Sequence, residues 1–141
     1  MQSSTMTASD VLDALAAEAD VPVITGRPVI QGDVAILPAD GQVAAATTPL
    51  PAEGAELVRG RGGHVHLLLG KVFWAPGREG AQTVGTVTVP PGEVGYLAHG
   101  DGTPVSALSR DAEHALDAFG PGTWVARRQR EQAAGQRLIA D

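Results

Sequence analysis

Two histidines, His64 and His66, stand one residue apart in Gly63-His64-Val65-His66, and a Leu-Leu-Leu-Gly string follows. Side chains alternate across a strand, so His64 and His66 share one face, while Val65, Leu67 and Leu69 take the other, apolar face. Two neutral imidazoles on one face suit a single divalent metal, with zinc, iron or manganese as candidates. The plain alternative is a pair of solvated histidines on the wet side of a strand. Asp111 and His114 are spaced so that one helical turn brings both side chains together. His64, His66, Asp111 and His114 would then form a site of three histidines and one carboxylate. With one position left to water such a site is catalytic; with all four bound it is structural. The remaining histidine, His99, precedes Gly100-Asp101-Gly102 and reads as a turn residue in water.

A second constellation is Arg127-Arg128-Gln129-Arg130. Planar guanidinium groups recognise phosphate or carboxylate, so Arg127, Arg128 and Arg130 form a candidate anion or partner-binding set. Strand alternation puts Arg128 and Arg130 with Trp124, and Arg127 with Val125 and Gln129. The plain reading is a strand leaving the core and pairing with surface acids. Asp33, after Gly32, reads as a turn residue accepting backbone hydrogen bonds. Ser106 and Ser109 lack a nucleophile elbow. The glycines of Arg59–Gly63 lead into a strand and lack the Lys and Ser/Thr of a phosphate loop, so no cofactor-binding motif is present.

The elements that must position these groups are mostly strands. Short runs rich in Val, Ile, Leu and Thr fall at Val21–Thr25, Asp33–Leu37, Glu56–Arg59, Val65–Leu69, Lys71–Trp74, Thr83–Val89, Val94–Ala98 and Thr123–Arg130. Turn signals separate them, and 18 Gly and 10 Pro fit a turn-rich chain. Residues 40–55 read as a loop with one edge strand, and Ser109–Phe119 as a short helix or loop. Ahead of the strands, Val11, Leu12, Leu15, Ala16 and Ala19 form one apolar stripe. Thr7 or Ser9 would cap this helix and Pro22 would end it. Too short to stand alone in water, it must dock on its own domain or on a partner. The reading is all-β, a small barrel or sandwich, behind a short amphipathic helix. An N-terminal helical arm spans 1–21 and a single β domain 22–141.

A chain of 141 residues is one domain's worth. Cysteine is absent, which removes disulfides, thiolate metal sites and a cysteine nucleophile. A net charge of −6 argues against nucleic acid and anionic membrane as partners. No apolar run reaches the roughly 18 residues of a membrane span, and Met1–Asp10 lacks a signal-peptide layout. These features fit a cytoplasmic protein or a particle component.

Taken in order, GRPVIQGDVAILP, GHVHLLLG, DAEHALDAFGPGTWVARRQREQ and the terminal RLIAD resemble a family of small uncharacterised proteins from bacteria and their phages. The resemblance spans roughly Gly26 to Asp141. It places that family's H-x-H on His64 and His66, and the Glu and last His of its H-x-E-H on Glu113 and His114. Asp111 stands where the family has that motif's first histidine. It implies an all-β fold and groups the histidines, but supplies no reaction. G-x-x-H-x-H before Pro-Pro-Gly is also similar to cupins, although Leu-Leu-Leu-Gly replaces the glutamate expected after H-x-H.

The expected function is therefore a non-enzymatic assembly or binding module. It would form a homo-oligomer or bind a protein partner through its N-terminal helix, be associated with a phage or conflict system, and carry a histidine-based metal site. The alternative is a cupin-like, metal-dependent enzyme using His64, His66 and His114.

Overall fold

A computed structural model describes residues 8–18, 20–59, 65–78, 80–100 and 116–129. Helix α1 (Ala8–Glu18) is followed by ten strands: β1 (Val23–Ile24), β2 (Val29–Gln31), β3 (Val34–Pro38), β4 (Ala55–Arg59), β5 (Val65–Gly70), β6 (Phe73–Pro76), β7 (Thr83–Val89), β8 (Gly95–Gly100), β9 (Leu116–Phe119) and β10 (Gly122–Arg128). They form two five-stranded sheets, β1-β9-β8-β5-β4 and β2-β3-β10-β7-β6. The sheets stay open, so the architecture is a sandwich. Among the described residues every ladder is antiparallel except the one between β1 and β9.

The inward residues of both sheets build the central core. Val29, Val34, Ile36, Leu68, Val87, Val89, Leu97, Phe119, Trp124 and Ala126 belong to it. Phe119 meets Trp124 edge to face at 5.2 Å, and the Trp124 indole N–H donates to Gly120 O at 3.1 Å. Gly95 leaves room for the Phe119 ring: a Cβ there would come 2.6 Å from it.

A second apolar layer lies on the outer side of the first sheet, where Leu12 and Ala16 of α1 pack on Leu67, Leu69, Tyr96, Ala98, Leu116 and Ala118. The helix therefore docks on its own domain, the first of the two options its length left open. The Tyr96 hydroxyl donates to Asp13, and Lys71 Nζ to Asp10 at 3.1 Å. Burial, then the hydrogen bond and charge of Asp13, push the Tyr96 phenol well above its ordinary range.

Asp20, at φ 61°, ends the helix, with Val21 N–H donating to Ala16 O and Asp20 N–H to Ala17 O. This paired closure is a Schellman motif, in which the residue after the cap is left-handed. Pro22 lies beyond it, so the stop is made by Asp20 before the proline acts. Thr7, one of the two expected caps, lies outside the described residues.

Two elements differ from the sequence reading. Leu116–Phe119 is a strand, where Ser109–Phe119 reads as helix or loop. Its partners β8 and β1 are remote in sequence and override local pattern. Val29–Gln31 is also a strand, held in a tight hairpin against β3. Residues 40–55 do contribute an edge contact, a bridge between Pro49 and Phe73.

Candidate functional site

β5 has no wet face. Leu67 and Leu69 point into the layer under α1, whereas His66 and Leu68 point between the sheets. His66 is only 4 % exposed. Of the two readings of this imidazole, metal ligand or solvated side chain, the solvated one fails, because the helix covers one side of the sheet and the second sheet the other. At this end of the sandwich the interior turns polar.

His66 pairs with His99 across the β5–β8 ladder, and their rings stack at 4.7 Å with 22° between planes. His99 is thus a strand residue rather than one in a turn, because β8 continues through Gly100. From the opposite sheet, Gln31 reaches across. Its Nε2 donates to Leu97 O at 2.9 Å and to Asp117 Oδ2 at 2.8 Å. Two acceptors fix the orientation of this amide, so Gln31 Oε1 faces His66 Nδ1 at 2.8 Å as an acceptor. His66 must then carry its proton on Nδ1. The lone pair of the neutral ring is left on Nε2.

The Cε1–Nε2 edge lies against the β2–β3 turn. Gly32 sits there at φ +55°, the positive φ a two-residue hairpin takes at its first central position. A Cβ on Gly32 would stand 3.0 Å from Cε1 and 3.2 Å from Nε2. The turn is tied to β10 by Gln129 N–H donating to Asp33 O at 2.6 Å. Burial lowers the His66 pKa from its ordinary 6.5, and the neighbouring His99 lowers it further against a smaller opposing pull from Asp33. The imidazole is held neutral, the form that ligates metals.

Of the predicted metal set, His66 is the member the structure describes; His64, Asp111 and His114 lie outside the described residues. No group of three or more His, Cys, Asp or Glu among the described residues is placed to hold a metal ion. Gln31 and Asp117 were not singled out from sequence. An amide and an acid on distant strands carry no local signal.

Arg127 and Arg128 line a groove of about 380 Å³ with Pro28, Ile30, Ala35, Leu37, Gln82 and Gln129. Strict alternation would have separated the two arginines. A register shift between Ala126 and Arg127 in the β7 ladder, together with guanidinium reach at the strand end, brings both to one groove. Arg130 lies outside the described residues. At the opposite end of the sandwich, an apolar pocket of about 470 Å³ is lined by Leu50, Val72, Phe73, Pro90 and Pro91 among others, and by none of the predicted site residues.

A family model described as a domain of unknown function (DUF8820) matches residues 30–129. The chain belongs to the DUF8820 family. The DUF8820 match runs from within β2 to just past β10, so it takes in Gln31, His66, His99, Asp117 and both groove arginines. Helix α1 and β1 lie outside it. No curated protein and no solved structure matches the chain. Among the described residues no helix is long and apolar enough to cross a membrane.

Proposed function

We propose that this domain is a non-enzymatic binding or assembly module, braced at one end of its sandwich by a histidine-based divalent-metal site anchored on His66. The observation that carries the reading is the Asp117–Gln31–His66 chain of hydrogen bonds. Metal-bound histidines donate their second ring N–H to a fixed acceptor, which sets tautomer and ring orientation. Gln31 is that acceptor, and Nε2 is the donor atom offered to the metal. Burial favours a structural role over a catalytic one, since a catalytic metal keeps one position open to substrate. His64, Asp111 and His114 would complete the set.

Metal content by mass spectrometry on untagged protein tests this, with His66→Ala beside the wild type. Near-stoichiometric zinc, iron or manganese that vanishes in the variant is the expected result. Gln31→Ala should retain the metal with about 10–100-fold weaker affinity. Absence of metal from wild type, even after all three ions are offered, refutes the site. Bound metal with a rapidly exchanging water, seen by relaxation with manganese loaded, would favour the cupin-like enzyme instead.

A further inference from the structure

The outer faces of the two sheets are treated differently. The first is covered by α1, whose Leu12 and Ala16 seal it. The second carries Ile30, Ala35 and Leu37 on its outer face, Ile30 exposed, Leu37 half-buried and Ala35 buried at the base, alternating with the inward Val29, Val34 and Ile36. Ile30 is 51 % exposed in the middle of β2, at the edge of this sheet. Arg127 and Arg128 flank this apolar floor, and among the described residues no acid lines the groove. Among the described residues neither arginine has an ion pair, although acids outnumber bases by 16 to 10 in the chain.

We propose that this groove over β2, β3 and β10 docks an acidic amphipathic segment of a partner protein, with apolar side chains on Ile30, Ala35 and Leu37 and carboxylates on Arg127 and Arg128. Charge complementarity selects the occupant. Two adjacent guanidinium groups suit carboxylates by bidentate pairing, and the aliphatic floor rewards an apolar stripe beside them. Two cations on a chain of net charge −6 are too few to hold a nucleic-acid backbone. The site is on the other sheet from the His66 metal reading and does not depend on it.

The test is a nitrogen-15 amide titration of the full chain with short synthetic peptides. One alternates Leu with Glu, one Leu with Lys, one Gly with Glu, and an oligothymidylate serves as the fourth probe. The Leu/Glu peptide should give saturable shifts centred on Ile30, Ala35, Leu37 and Arg127. Affinity should fall about tenfold or more in Arg127→Glu/Arg128→Glu, and likewise in Ile30→Ser. Thermal melts of these variants should match wild type, separating lost docking from lost fold. Saturable shifts elsewhere, equal binding of the Lys peptide or the oligonucleotide, or no saturable shift overturns the proposal. So does self-association in sedimentation velocity that the arginine variants abolish, since the occupant would then be a second copy.

Discussion

At the scale of single residues, His66 is defined less by its own type than by what surrounds it. Its ring is stacked on one side, hydrogen-bonded at Nδ1 and edged by a glycine turn. Gly32→Ala would force a side chain into a left-handed backbone position and against the imidazole. Denaturant melts should show a loss of about 1–2 kcal/mol. The depressed His66 pKa has a definite sign in the metal-free protein. The unfolded chain takes up its proton near pH 6.5 while the folded one resists. Stability should hold above pH 6.5 and decline below it, until the folded-state pKa is passed. Urea melts across that range should show the decline, and His66→Gln should flatten it. His66 was visible from sequence because H-x-H on an apolar strand is a recognisable pattern. Gln31 and Asp117 were not, because hydrogen bonds between residues 35 and 86 positions apart leave no local trace. His99 was misread because the apolar run stops at Ala98, while the ladder to His66 and Val65 continues.

At the scale of elements, α1 is part of the fold and its apolar stripe is spent in cis. Leu12 is 1 % exposed, and Leu12→Ala should cost about 2–4 kcal/mol through the cavity it leaves. Tyr96→Phe, which removes only the bond to Asp13, should cost about 1 kcal/mol. Chemical denaturation of both variants checks the ranking. The raised Tyr96 phenol adds an alkaline counterpart: its contribution is intact below the ordinary tyrosine pKa near 10 and fades as pH rises beyond it. The helix and most strands were legible because their periods are clear: Thr83–Val89 alternates over its full length. β2 and β9 were not. Val29–Gln31 is too short to show a period, and the acids and alanines just before Leu116–Phe119 give the sequence there a helical pattern.

At the scale of the whole molecule, no backbone ladder among the described residues joins the two sheets. They are held by the shared core and by Gln31, which hydrogen-bonds to β5, β8 and β9 from β2. Gln31→Leu fills similar volume but leaves the His66 N–H, Leu97 O and Asp117 without that partner. A loss of about 2–3 kcal/mol is expected. Hydrogen exchange should then quicken most at the His66 end of β5 and β8. Exchange quickening evenly across both sheets would show that Gln31 does not clasp this end. The all-β class, barrel or sandwich, could be read from turn spacing and alternation. The assignment of strands to sheets could not, since only tertiary pairing decides it.

The pairing of β1 with β9 and of β3 with β10 also has a consequence for synthesis. Val23 waits for Ala118, and Val34 for Arg128, so each sheet receives one of its strands only after the long intervening stretch of chain has been made. Hairpins such as β2–β3 and β4–β5 can form earlier, but neither sheet can close around them. Until β9 and β10 emerge, Ile36, Leu68 and Val87 stay incompletely covered, and those two strands then commit both layers. Such non-local closure makes for folding on the millisecond-to-second scale.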